Sequence, residues 1–132
     1  MSIAAYKRTI SETESPRQIE RRVLSRVTSE LERFAPEFDA AEQGLDKLSI
    51  LANGLRDALW QNQRVWQTLQ HDLASEGNSL SPDLRAGLLS LAIWVDTHTR
   101  GVMKGQNKAG PLIDINRTII RALDGNALQV ME

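Results

Sequence analysis

The chain has 132 residues, of which 25% are charged, and its formal net charge at pH 7 is −1. This near-neutral charge does not favour a nucleic-acid or anionic-membrane partner. The absence of cysteine excludes disulfides, thiolate catalysis and thiolate metal sites. We expect one cytoplasmic domain, because no apolar run approaches the ~20 residues that span a bilayer and the N-terminus lacks a secretory signal.

Residues 1–14 are polar and lack helical periodicity, so we predict a flexible arm, followed by a single helical domain over residues 15–132. Tyr6 is the arm residue best suited to anchor it on a partner. The first helix is predicted to start at Ser15, a suitable cap, with Pro16 in the first helical position. We expect it to end near Pro36, with an apolar stripe formed by Ile19, Val23, Leu24, Val27 and Leu31.

A second helical pattern runs from about residue 39 to residue 74. Its apolar seam is spaced by seven and by four, and consists of Leu48, Ala52, Leu55, Leu59, Asn62, Trp66, Leu69 and Leu73. Asn62 interrupts this seam. We interpret it as a polar core residue that fixes helix register, with recognition of a partner's backbone as the alternative. Gly54 indicates a kink.

A third helix is predicted from Ser81-Pro82-Asp83 to the glycines at 101 and 105, and a fourth begins at Pro111 and is stopped by Gly125. The core stripe of the third helix comprises Leu84, Leu88, Leu91, Val95 and Val102, and that of the fourth comprises Leu112, Ile115, Ile119 and Leu123. No strand alternation or internal repeat is evident. The sequence therefore predicts an all-α bundle of about four helices.

The third helix carries more apolar side chain than its core stripe requires. Leu89 and Ile93 fall well away from the stripe and Trp94 lies on its far flank. Trp60 is predicted at the rim of the apolar face of the second helix. We expect these apolar side chains either to lie at the centre of the fold or to be covered by a partner. A homodimer formed through the 48–73 seam is a further possibility, because it would also cover this apolar surface.

Catalysis finds little support in these residues. His71 and His98 fall on different predicted helices without metal-site spacing, no nucleophile-elbow or phosphate-loop frame is present, and the single aspartates are typical of helix flanks. We therefore predict no enzyme activity, no catalytic residue, no metal and no cofactor.

The basic residues suggest one alternative. Arg17, Arg21 and Arg22 cluster near the start of the first helix and could contact RNA. Acidic residues are interleaved throughout the same helix and no RNA-binding signature accompanies the cluster, so a solvated helix face is the better interpretation.

Four blocks, in order, resemble the bacterial flagellar protein FlaF family. The first, at 13–20, reads TESPRQIE and is similar to the family's TxSPRxxE opening. The others are ALWQNQRVW at 58–66, LRAGLLSLAIWV at 84–95 and LIDINRTII at 112–120. Together they lie within a resemblance that extends over residues 6–124.

The resemblance implies a small cytoplasmic protein that supports flagellin synthesis and secretion as a flagellin-binding chaperone, alongside FlbT, a regulator that restrains flagellin mRNA translation. Flagellin and FlbT are thus the expected partners, with post-transcriptional regulation as the alternative function. From the residues themselves we predict that Leu89, Ile93 and Trp94, with Trp60 at the rim, form a groove for one amphipathic helix. The resemblance implies that this helix belongs to flagellin. The arm with Tyr6 is a competing site. The sequence leaves the oligomeric state open.

Overall fold

A computed structural model describes residues 16–75 and 80–123, and these residues form helices and no strands. The helices are α1 (Pro16–Ala40), α2 (Gly44–Ile50), α3 (Arg56–Ala74), α4 (Pro82–Met103) and α5 (Gly110–Leu123). A π-helical turn (Leu51–Leu55) joins α2 to α3, so these two form one kinked helix and the bundle has four in all. The predicted all-α bundle is confirmed, whereas the predicted arm and Tyr6 lie outside the described residues.

α1 runs antiparallel to both α3 and α5, and α4 runs antiparallel to α3. α1 packs chiefly against α5 and α3, and α4 packs chiefly against α3. The start of α5 lies at the end of α1, where Asp39 binds the backbone of Ala109 and Gly110. Near the middle of both helices, Asn116 of α5 bonds to Thr28 of α1. The core therefore lies between α1, α3 and α5, and α4 covers it from the α3 side.

The first helix extends beyond its predicted end. Pro36 lies inside α1, which continues to Ala40, although proline cannot donate the hydrogen bond that the Glu32 carbonyl would accept. Two contacts compensate beyond the proline: Phe38 is fully buried in the core, and the Asp39 carboxylate binds the start of α5. The predicted start of the second helix at residue 39 is wrong for the same reason, because Asp39 belongs to the last turn of α1.

The kink predicted at Gly54 is confirmed, and it changes which side chains are buried. Gly54 has φ 145° and ψ −26°, outside the helical region. A π-helical turn holds an extra residue, which rotates the preceding helix by roughly 100° relative to the following one. As a result Leu51 is buried, whereas Leu48, which the seven-residue spacing places in the seam, is 54% exposed. From Leu55 onward the seam residues are buried or partly buried, as the spacing predicts.

The buried face of α4 is narrower than predicted. Val95 and Val102 are fully buried, as expected, and they are joined by Ala92 and Thr99. The predicted core residues Leu84, Leu88 and Leu91 are only partly buried. The reason is that α4 packs mainly against one helix, α3, and makes few contacts with α5.

Both ends of α4 follow the predicted capping pattern. The Ser81 side chain accepts a hydrogen bond from the Leu84 backbone N–H at 3.3 Å, and Asp83 lies in the first turn. The helix ends at Met103, close to the predicted glycines, where Gly105 has φ 73°. These local signals therefore set the position of α4 in the sequence, while packing decides which of its side chains are buried.

The start of α5 is held by α1. The Asp39 carboxylate accepts hydrogen bonds from the Ala109 N–H at 2.7 Å and the Gly110 N–H at 2.8 Å. These are among the amide groups that the first turn of a helix leaves without intrahelical partners, and a negative charge is also favoured at this end of the helix. One side chain thus caps α5 and ties it to α1.

We expect Asp39→Ala to lower the free energy of unfolding by about 1–2 kcal/mol, because it removes the cap and the link between the two helices. Urea denaturation followed by circular dichroism measures this. Asp39→Asn keeps an acceptor oxygen and should lose less. A loss of equal size in both variants would mean that shape alone, and not the hydrogen bonds, matters at this position.

Candidate protein-interaction surface

The outer flank of α4 exposes large apolar side chains. Ile93 is 59% exposed and Trp94 is 38% exposed, whereas Val95, the next residue, is fully buried. Leu89, one helical turn before Ile93, is partly buried. We call these three residues the α4 outer flank. Among residues 16–75 and 80–123, the packing of the helices leaves Ile93 and Trp94 of this apolar surplus exposed.

Trp94 is held by its neighbour one turn on. Its ring stacks on His98, with ring centroids 4.6 Å apart and planes 19° from parallel. The His98 Nε2 atom in turn lies 2.7 Å from the Lys108 carbonyl oxygen, so Nε2 must carry the proton and donate. These contacts link the indole, through His98, to the loop between α4 and α5. An aromatic side chain held in this way loses little conformational freedom when a partner covers it.

Trp60 lies at a different place in the bundle. It is 47% exposed, and the guanidinium of Arg64 lies over its ring at 4.8 Å from the centroid. It lines a cavity of about 490 Å³ beside the kink, together with Leu51, Ala52, Gly54, Arg56, Asp57 and Met103. Met103 is the contribution of α4 to this cavity, so its lining does not include the α4 outer flank. The structure brings Leu89, Ile93 and Trp94 together but associates Trp60 with the kink.

A second apolar surface was not predicted. A cavity of about 590 Å³ lies between the first half of α1 and the second half of α3, and Leu123 borders it at the end of α5. We call it the α1/α3 groove. Its apolar lining consists of Ile19, Val23, Leu24, Val27, Val65, Leu69 and Leu123.

The sequence held a signal for this groove. The predicted stripe of α1 contained two neighbouring rows of apolar residues, more than one buried face needs. Leu24 and Leu31 form the buried row, whereas Ile19 is 36% exposed and Val23 is only partly buried. An apolar stripe that is too wide on α1 thus indicates the groove, just as the surplus on α4 indicates its outer flank.

Leucines of α2 are also exposed. Leu45 is 81% exposed and Leu48 is 54% exposed, and α2 has no buried residue. This follows from the rotation at the π-helical turn, which directs the α2 seam away from the core.

Of the residues considered for other functions, His98 contacts the α4 outer flank, whereas Arg21, Arg22 and His71 do not line the α1/α3 groove. Arg21 and Arg22 are exposed on α1, and the side chain of Arg17 lies outside the description. His71 is exposed on α3, and His98 is engaged with Trp94 and Lys108. Within residues 16–75 and 80–123, no group of three metal-binding side chains comes together. None of the helices in those ranges is long and apolar enough to span a bilayer.

Asn62 is part of a buried polar network, a position that agrees with the core interpretation. Asn116 lies at its centre: its Oδ1 accepts from Trp66 Nε1 at 2.8 Å, and its Nδ2 donates to Asn62 Oδ1 at 2.7 Å and to Thr28 Oγ1 at 3.0 Å. Thr28 donates to the Leu24 carbonyl oxygen. The network joins α1, α3 and α5 in a single register. Asn62 Nδ2 is buried without a hydrogen-bond partner.

Comparison with known proteins identifies the family to which the chain belongs. Searches among curated proteins and among solved structures gave no significant match. The family model described as flagellar protein FlaF matches residues 2–123, which includes all five helices. A match over nearly the whole chain extends well beyond any one of the four sequence blocks, and the chain therefore belongs to the FlaF family of flagellar proteins.

Proposed function

We propose that this protein is a cytoplasmic, flagellin-binding export chaperone that supports flagellin synthesis and secretion. The α4 outer flank would receive an amphipathic helix of flagellin. The observation that carries the proposal is the exposure of Ile93 and Trp94 on a helix that buries Val95 and Val102 in the core. Membership of a flagellar family makes flagellin the natural partner to test.

The chemistry of the flank suits a helical partner. An amphipathic helix presents apolar side chains at i, i+3, i+4 and i+7, and such a row can cover Leu89, Ile93 and Trp94 in succession. Each anchor that becomes fully buried adds roughly 1.5–3 kcal/mol, so these anchors supply part of the binding free energy and the rest of the interface must offset the cost of association. Subunits held in this way would have an apolar seam shielded before export.

We expect Ile93→Asp and Trp94→Ala each to weaken flagellin binding by roughly 30-fold, equivalent to about 2 kcal/mol at a buried anchor. Isothermal titration calorimetry with purified flagellin measures this, and circular dichroism checks that the variants remain folded. Both side chains are exposed, so the fold should tolerate the changes.

Leu45→Asp is the matched control, because Leu45 is also a large exposed apolar residue but lies on α2. It should leave the affinity unchanged. Folded α4 variants that bind as tightly as the unchanged protein would refute the assignment of the α4 outer flank. Equal weakening by Leu45→Asp would indicate a non-specific apolar contact.

FlbT is the second proposed partner. Co-purification from cells, followed by native mass measurement, distinguishes a complex with flagellin from one with FlbT and gives the stoichiometry of each. We expect the flagellin complex to be lost in Ile93→Asp.

A further inference from the structure

We propose that the α1/α3 groove is the docking site of the chain's own C-terminal segment, residues 124–132. This inference is independent of flagellin binding, because the groove and the α4 outer flank are formed by different residues. It begins from the groove's size and lining: about 590 Å³ is within the range of sites that bind small molecules or short peptide segments, and its floor is formed by aliphatic side chains.

The position of Leu123 connects the segment to the groove. Leu123 is the last residue of α5 and lines the groove itself. The segment that begins at residue 124 is therefore attached to the chain at the groove's edge. Gly125 and Asn126 follow at once, and these two residue types tolerate the left-handed backbone conformation that a sharp reversal of the chain requires.

The segment has the length and the side chains to fill the groove. Its sequence is DGNALQVME, nine residues that extend to about 30 Å at most. The α3 side of the groove, from Gln61 to Leu69, is only about 12 Å long. Leu128, Val130 and Met131 supply three large apolar side chains within that reach.

Charge favours this segment over the N-terminal residues. Residues 124–132 contain two acidic residues and no basic one, whereas residues 1–15 balance Lys7 and Arg8 against Glu12 and Glu14. Arg26 and Arg64 lie on the rim of the groove. The rim also carries two acidic residues, Glu20 and Glu30, and both already have interaction partners, Glu30 with Arg33 at 3.2 Å. The basic groups are therefore the better placed to attract an acidic segment.

Engineered cysteine pairs test the docking directly, because the chain contains no cysteine. Thr68→Cys in the groove is combined with Val130→Cys in the segment, and the control combines Gln67→Cys with Val130→Cys. Gln67 is the next residue on the same helix, but it lines the α3/α4 side and not the groove. Under mild oxidation at low protein concentration, we expect the Thr68→Cys pair to form an intramolecular disulfide at least tenfold faster.

The other outcomes overturn the proposal. Equal rates for the two pairs mean that the segment does not dock. A disulfide between chains, seen by mass, means that a second copy occupies the groove. Faster linkage of Thr68→Cys to Tyr6→Cys than to Val130→Cys means that the N-terminal residues occupy it.

A second measurement does not depend on cysteine chemistry. Deletion of residues 127–132 should uncover the groove and raise the fluorescence of the apolar dye ANS several-fold, with an unchanged circular dichroism spectrum. Adding Val23→Glu to the deletion should abolish the gain, because Val23 lines the groove. A gain that persists with Val23→Glu places the dye elsewhere and contradicts the proposal. Ile93→Asp should change neither the relative disulfide rates nor the gain of ANS fluorescence on deletion. This separates the inference from the flagellin proposal.

Discussion

Substituting Gly54→Ala should lower the free energy of unfolding by about 4 kcal/mol. Gly54 has φ 145°, which L-residues rarely adopt, and such backbone strain costs about 1–3 kcal/mol. A Cβ atom at this position would also overlap the Phe34 ring, lying 2.8 Å from Cε1 and closer still to Cζ. Overpacking of this kind adds a further 1–3 kcal/mol. Chemical denaturation followed by far-ultraviolet circular dichroism measures the total.

Two comparisons separate the contribution of backbone strain from that of the overlap with Phe34. A Cβ atom at Gly105 would meet only Cδ of Lys47, at an ordinary contact distance of 3.8 Å, so Gly105→Ala should cost about 1 kcal/mol through its φ of 73° alone. In a Phe34→Ala background, Gly54→Ala should cost less than in the unchanged protein, because the clash is gone. Equal losses at Gly54 and Gly105 would show that the contact with Phe34 contributes nothing.

Asn116→Ala should cost roughly 3–5 kcal/mol. Asn116 is fully buried and joins three helices, and its removal leaves Trp66 Nε1 and Asn62 Oδ1 in the core without partners. An unpaired buried polar group costs about 1–3 kcal/mol, and the small cavity left by the side chain adds to this. Thermal and urea unfolding should both report the loss.

Asn62→Leu is the informative counterpart, with an expected cost of about 1 kcal/mol. The Asn62 Nδ2 group is already buried without a partner, so replacing the side chain removes a destabilising group along with one hydrogen bond. Asn116 Nδ2 keeps Thr28 Oγ1 as an acceptor. If Asn62→Leu proved as costly as Asn116→Ala, Asn62 rather than Asn116 would be the centre of the network.

Much of the helix pattern could be predicted from local signals. Ser81 caps α4 as its sequence context indicates, and Gly54 marks the kink. The end of α1 could not be predicted in this way, because Pro36 is tolerated only through contacts of Phe38 and Asp39 with distant parts of the chain. The exposure of Leu48 depends on a π-helical turn, whose rotation cannot be obtained from a regular heptad count.

The candidate surfaces likewise include features that local sequence predicts and features that depend on contacts between distant residues. The apolar surplus of α4 was visible in the sequence, and Ile93 and Trp94 are exposed as a partner site would require. The position of Trp60 beside the kink was not predictable, since it depends on where Met103 packs. The α1/α3 groove requires two helices and Leu123 to meet, which no single stretch of sequence reveals.

The pairing of α1 with α5 has a consequence for how the chain acquires its structure during synthesis. Asp39 binds residues 70 and 71 positions further along the chain, and Thr28 binds Asn116, 88 positions away. Contacts between residues so far apart in the sequence form late and slow the folding of a small helical protein. A growing chain contains α1 and its apolar rows long before α5 emerges with Leu112, Ile113 and Ile119 to complete the core. The bundle is therefore completed only after residue 123 has been made, and until then the nascent protein exposes apolar surface that its folded form buries.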